Sequence, residues 1–142
     1  MKETIIIGCD HAAYELKAKI FDFLEKKGIK VKDIGSFSKD SVNYPDYANQ
    51  VARAVKTKEY DLGILLCGTG LGMSMAANRH KGIRAALCND IFSAKMSRLH
   101  NNSNVLVLGG RVVGDILAFE IVDTWLKTKF EGGRHQMRLD LF

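Results

Sequence analysis

Residues 61–72 read DLGILLCGTGLG. An apolar run from Leu62 to Cys67 ends in a loop with glycine at every other position, Gly68, Gly70 and Gly72, and helical periodicity follows from Gly72 to about Arg79. A short apolar run broken in this way reads as a buried strand that turns sharply into a helix. The same pattern repeats outward. Apolar, β-branched runs at 4–9, 29–34, 83–88 and 104–109 bring the strand count to five. Between them, Ala13, Leu16, Ile20 and Leu24 recur with helical period and stop at Gly28, while Ala48, Val51, Ala52 and Val55 do so after Pro45, a residue suited to a first helical turn. Asp90 stands where it can N-cap a helix through Phe92, Met96 and Leu99, and Leu117, Ile121, Val122, Trp125 and Leu126 carry the last long helix.

Strand and helix alternate throughout, which requires a parallel sheet with crossovers on its faces; the near-continuously apolar strands predict burial on both sides. The expected fold is a three-layer, doubly wound, Rossmann-like α/β domain around a five-stranded parallel sheet. The chain has 142 residues, 46% apolar and 26% charged, enough for one hydrophobic core without a disulfide framework or structural metal. No low-complexity tract, linker or solenoid repeat divides it, so a single domain over 1–142 is expected. Only the segment EGGRHQMR at 131–138 differs, being polar and basic.

Composition narrows the classes of function. Every apolar run falls far short of the roughly 20 residues that span a bilayer, and the apolar stretch near Lys2 is too short for a signal-peptide core. The expected compartment is the cytoplasm, where Cys9, Cys67 and Cys88 remain thiols; their odd number and wide spacing fit neither disulfides nor paired zinc ligands. A metal site at Cys9, Asp10 and His11 would need more ligands than this spacing supplies. The net charge of +5 favours an anionic partner. Nucleic acid is disfavoured, because no aromatics interleave the basic residues and the lysines scatter along helix faces.

Ligands of open parallel sheets bind beyond the carboxyl ends of the strands, where strand order reverses. Those ends carry Cys9, Asp10 and His11; Cys67 through Gly72; Cys88, Asn89 and Asp90; and Gly109, Gly110 and Arg111. The alternate glycines at 68–72 let backbone amides converge on an anion. A dinucleotide fingerprint would need glycine at Met73 or Met75, and no Gly-Lys-Ser or Gly-Lys-Thr of a P-loop occurs; a ligand-free tight turn is the remaining alternative. Cys67, ahead of a helix N-terminus, is placed for thiolate chemistry or is a small buried strand residue, the latter being the reading for Cys9 and Cys88. Asp10 and His11 are equally an N-cap and a first-turn histidine. His80, among basic residues, reads as solvated. Arg134 and Arg138 share one face if that segment is helical, able to clamp a phosphate or carboxylate or simply to face water.

Several motifs together resemble one family: GCDHAA at 8–13, NYPDYA at 43–48, CGTGLG at 67–72 with AANR at 76–79, GIRAALC at 82–88, HNNSNVLVLGGRVVG at 100–114 and FEGGRHQMR at 130–138. The chain is similar, essentially end to end, to the type B ribose-5-phosphate isomerases and their allose-6-phosphate and galactose-6-phosphate relatives. The resemblance implies reversible interconversion of ribose 5-phosphate and ribulose 5-phosphate through a cis-enediolate, with neither metal nor organic cofactor. It makes Cys67 the base between C2 and C1. Gly68, Thr69, Gly70, Leu71 and Gly72 become the enediolate-stabilising loop, and His100 the group that opens the furanose ring. Asp10, His11 and Asn101 bind sugar hydroxyls, Arg134 and Arg138 of the 131–142 tail bind the phosphate, and Arg111 and Tyr44 line the site. Members that use a glutamate as base carry it where this chain has Met73, so the cysteine assignment follows.

His100 and Asn101 precede the fifth strand and should lie at the sheet edge opposite Cys67, about 20 Å away along a six-residue strand. They are therefore expected to reach a neighbouring subunit's site, in a homodimer or a dimer of dimers. The same chemistry on a six-carbon sugar phosphate is one competing expectation. A non-catalytic sugar-phosphate binding module, which needs neither Cys67 nor His100, is another.

Overall fold

The central strands place alternate side chains on opposite faces, and each face collects its own helices. In β1 (Ile5–Cys9), β3 (Leu62–Cys67) and β5 (Val105–Gly109), the residues Ile5, Ile7, Cys9, Leu62, Ile64, Leu66, Leu106 and Leu108 face one side. There they meet α1 (Tyr14–Lys26), α4 (Ile91–Leu99) and α5 (Asp115–Lys127) in a cluster around Trp125. The alternate residues Ile6, Leu65, Cys67, Val105 and Val107 face α2 (Tyr44–Lys56) and α3 (Leu71–Ala77). The computed structural model describes residues 3–142 and has the expected three layers around five parallel strands.

Two short strands, β2 (Val31–Asp33) and β4 (Ala85–Leu87), complete the sheet in the order β2-β1-β3-β5-β4. The chain crosses from β1 outward to β2 and then back to β3 on the other side, so the switch in winding falls between β1 and β3. The loops at their carboxyl ends are those of Asp10 and Cys67, the position where open sheets bind ligands. Full burial holds for β1, β3 and β5 but not for the edge strands. β2 and β4 are half-buried and cover three residues each, shorter than the runs 29–34 and 83–88 suggest, because each pairs on one side only.

Local signals set the helix ends to within a residue or two. Pro45 occupies the first turn of α2, and Asp90 caps α4 by accepting from Ser93 N–H at 2.6 Å. Asp10 caps a 3₁₀ turn over His11–Ala13 that leads into α1, accepting from Ala12 N–H at 3.0 Å. The basic tail forms a short helix, α6 (Arg134–Leu139), after Gly133.

One of the lysines on the helix faces is buried. Lys17 is 1% exposed, with Nζ 2.6 Å from Asp33 Oδ2 and 4.6 Å from the centre of the Phe37 ring. Asp33 also accepts from the Gly35 amide at 2.9 Å, so a buried ion pair fixes the start of the loop between β2 and α2. Among the described residues no helix is long and apolar enough to cross a membrane.

Candidate active site

The loop after β3 is built around the sulfur of Cys67. Gly70 N–H donates to Cys67 Sγ at 3.1 Å, and Leu71 N–H donates to Thr69 Oγ1 at 3.2 Å. Two of the loop's three glycines, Gly70 and Gly72, leave no room for a side chain unless a neighbour shifts. Gly70 has φ +85°, and a Cβ there would lie 2.4 Å from Leu87; a Cβ on Gly72 would lie 2.6 Å from the Tyr44 ring. Tyr44 thus packs over the loop. The loop after β5 closes the other flank, with Gly110 N–H bonded to Cys67 O at 2.8 Å and Arg111 N–H to Gly68 O at 2.9 Å. These bonds bring Arg111 against the glycine loop. Asp10, 7% exposed, enters from β1 with its own N–H bonded to Leu66 O at 3.1 Å.

His11 has a defined tautomer. Val42 N–H donates to His11 Nδ1 at 3.2 Å, so Nδ1 is the acceptor and the ring proton sits on Nε2, ready to donate. His11 and Arg111 line an open cleft of about 560 Å³ together with Glu15, Lys19, Lys39 and Asp115. Lys39 is bonded to Glu15 at 2.5 Å and Lys19 to Asp115 at 3.4 Å. Each ammonium holds its carboxylate partner below the usual carboxylate range. Arg111 makes no ion pair among the described residues and is the cleft's unmatched cation. Cys67 itself, 5% exposed, is not in the wall of this cleft. The glycine loop and the basic cleft adjoin without forming a closed pocket.

The remaining expected residues lie elsewhere. His100 is the C-cap of α4, its N–H bonded to Met96 O at 2.9 Å, and Asn101 follows it, exposed. Since Val105 pairs with Gly63 at the start of β3 whereas Cys67 pairs with Gly109 at its end, His100 and Cys67 stand at opposite edges of the sheet. Arg134 and Arg138 are exposed on α6, which the sequence could not place. The Glu131 N–H bond to Leu99 O at 3.0 Å and the stacking of His135 on His100, with centroids 4.2 Å apart at 15°, set it beside His100. Cys67, Thr69, Asp10, His11, Arg111 and Tyr44 therefore form one group, and His100, Asn101, Arg134 and Arg138 another.

The turn that carries His100 is pinned from below. Trp125 Nε1 donates to Ser103 Oγ at 2.8 Å, Ser103 Oγ meets Ser97 Oγ at 2.9 Å, and Arg98 bonds to the Ser103 carbonyl. His135 and Glu131 are the residues of this region that sequence reasoning passes over, since no apolar periodicity marks which side of α6 turns inward.

His100, Glu131 and His135 also place three ligand-type atoms within 4.8 Å of one another. The near-parallel rings direct their in-plane lone pairs in separate planes, so a cation about 2 Å from one ring nitrogen lies out of plane for the other. The geometry suits stacking rather than chelation. Of the other thiols, burial raises Cys9 and pushes Cys88 up to about 11, which suits packing roles. His80 is not fully solvated: it is half-buried, with Nε2 2.8 Å from Asn49 Oδ1, and burial with Arg53 and Lys56 nearby lowers its pKa.

Comparison with known proteins adds an independent finding. The profile of the family described as Ribose/Galactose Isomerase matches residues 5–142. The ribose-5-phosphate isomerase B of Escherichia coli is 52% identical over 97% of this chain and 93% of its own. The crystal structure of a ribose 5-phosphate isomerase from Thermotoga maritima superposes with a TM-score of 0.97 at 55% identity, covering 99% of this chain and 97% of that one. The Mycoplasma genitalium ribose-5-phosphate isomerase B, solved with bound ribulose-5-phosphate, reaches a TM-score of 0.94 at 46% identity over 97% of this chain and 92% of its own. Matched over residues 5–142 and similar to these relatives in sequence and fold over nearly its full length, the chain belongs to the ribose/galactose isomerase family.

Proposed function

We propose that this protein is a cytosolic aldose–ketose isomerase that interconverts ribose 5-phosphate and ribulose 5-phosphate. The observation that carries the reading is the Cys67 loop: a sulfur held by the Gly70 amide at 3.1 Å, followed by amides and the Thr69 hydroxyl, with Asp10 and Arg111 beside it. In the open-chain aldose the Cys67 thiolate takes the C2 proton. The electron pair of that bond becomes the C1–C2 double bond and O1 takes the negative charge. The proton then returns to C1, O2 becomes the carbonyl and its proton passes to O1, so the step is redox-neutral within the sugar. Donors aimed at the enediolate oxygens act where charge develops, and removing one such donor costs other enzymes about 10²- to 10³-fold in rate. The pre-formed loop between Gly68 and Gly72 supports that role.

In this reading Asp10 and His11 bind sugar hydroxyls, His11 as an Nε2–H donor, while Tyr44 and Arg111 border the sugar. His100 and Asn101, with Arg134 and Arg138 of the 131–142 segment, come from a second copy of the chain, because within one copy they occupy the opposite sheet edge. The site is then composite and the unit is a homodimer or a dimer of dimers. No metal or organic cofactor enters the reaction.

The test is a coupled assay of purified protein on ribose 5-phosphate, allose 6-phosphate and galactose 6-phosphate, with and without chelator. A kcat/KM for the pentose at least tenfold above the hexoses, unchanged by chelator, is the expected result. A preference for a hexose phosphate reassigns the substrate. Binding without turnover of all three makes the protein a sugar-phosphate binding module.

A further inference from the structure

His135 lies between the two arginines of α6 and turns the other way. Arg134 and Arg138 are exposed, whereas His135 is 5% exposed and its ring stacks on His100 with centroids 4.2 Å apart and planes 15° from parallel. Its buried Nε2 has no hydrogen-bond partner, and Glu131 Oε1 stands 3.6 Å from it. An apolar side chain would fill the same space without burying an unpartnered nitrogen, so filling the core does not explain a histidine there. What the ring supplies is a flat face against His100.

His100 itself sits on a helix C-cap, partly exposed, where an imidazole unsupported by packing turns about two side-chain torsions. Acid–base work on a sugar ring requires one orientation, because a group misplaced by about 1 Å can lose 10²-fold in rate. The Glu131 N–H bond to Leu99 O, 3.0 Å, ties the start of the tail to the end of α4. His135 and His100 are thereby joined through backbone as well as through their rings.

We infer that His135 is a positioning residue: it fixes the plane of His100 and couples that plane to Arg134 and Arg138, so that phosphate capture and ring opening are aligned by one short helix. The inference rests on the proposed ring-opening role of His100.

Two readouts separate ring opening from proton transfer. Ribose 5-phosphate is mostly a closed furanose and needs opening, whereas ribulose 5-phosphate, with its C5 oxygen esterified, is open-chain, and exchange of its C1 hydrogen in D2O needs only the enediolate step. Turnover of ribose 5-phosphate and this exchange would be measured for full-length wild type, His100→Ala, His135→Leu and His135→Phe. Leucine fills the buried space without a flat face, and phenylalanine restores the face without the nitrogen. The expected result is a loss of about tenfold or more in kcat from ribose 5-phosphate for His135→Leu, with its KM and the C1 exchange rate of ribulose 5-phosphate within about twofold, and recovery to within about threefold in His135→Phe. Equal rates for the leucine and phenylalanine variants, or a change in KM alone, would overturn the inference. A loss of both turnover and exchange for His135→Leu beside a loss of turnover alone for His100→Ala overturns the inference alone. If His100→Ala loses both equally, the reading of His100 falls and the inference with it.

Discussion

The two edges of the sheet carry the two halves of the proposed site, and they are built by different means. At the carboxyl edge the chemistry rests on backbone: the Gly70 amide on Cys67 Sγ, a positive φ at Gly70, and loops after β3 and β5 hydrogen-bonded to each other. At the amino edge it rests on side chains: His100 on a helix end, His135 stacked on it, and the Trp125–Ser103–Ser97 network beneath. A backbone cradle has little freedom to lose and is the same in every copy of the chain. A side-chain array is set by packing, which suits groups that must meet a substrate held mainly by another subunit. The difference predicts that lesions at the carboxyl edge abolish chemistry, while those at the amino edge grade it.

The largest effect is expected at Cys67. Cys67→Ser should lower kcat by about 10³-fold or more, with the thermal midpoint nearly unchanged, since a hydroxyl is a far poorer base than a thiolate. Steady-state rates with a melting curve check both parts, and full activity would remove Cys67 as the base. The division between edges is tested by mixing inactive Cys67→Ala chains with His100→Ala chains, which are impaired in turnover of ribose 5-phosphate. A purified heterodimer should regain about half the wild-type activity, because one of its two sites then has both groups intact. No recovery in a verified heterodimer would put both halves in one chain.

Stability effects follow. Asp33→Ala strands the buried Lys17 charge beneath the loop that carries Val42 to His11, at a cost of about 3–5 kcal/mol. The double variant Lys17→Met, Asp33→Ala should recover most of it in urea titrations. On the opposite edge, Ser103→Ala leaves Trp125 Nε1 without its acceptor, about 1–3 kcal/mol by the same assay; a smaller loss than at Asp33 would bear out the contrast.

The smallest effect lies outside both halves. His80 has its pKa lowered by burial and by Arg53 and Lys56, so below its ordinary value of 6.5 the unfolded chain binds more protons there than the native one. Its contribution to stability is full above pH 6.5, falls as the pH drops through the window down to the folded pKa, and is constant below that. His80→Gln should flatten this part of the stability profile between pH 7.5 and 5.5, measured by thermal melts; an unaltered slope would show that His80 is not its source.

Much of this architecture is legible in the chain because its signals are local. Gly28, Pro45 and Asp90 mark helix ends through backbone chemistry that needs no partner, and alternate glycines after an apolar strand announce the Cys67 loop. The strand order is less legible. Nothing in the run at 104–109 says that it lies between β3 and β4 rather than beyond them; that depends on which helices cover which face. Lys17 reads as an ordinary surface lysine until Asp33 and Phe37, distant in sequence, close over it. His135 likewise reads as one more polar residue of a basic tail, because inward or outward is decided by what α6 packs against.

The sequence by itself determined the alternation of strands and helices, the glycine cradle, the lone thiol at its mouth and the family to which they belong, since each is encoded in contiguous residues through turn sterics, period and charge. Only the tertiary structure decided that β5 separates β3 from β4, that Val42 sets the tautomer of His11, and that His135 turns inward onto His100. Those facts depend on contacts between segments far apart in the chain, and no local propensity specifies which surfaces will meet.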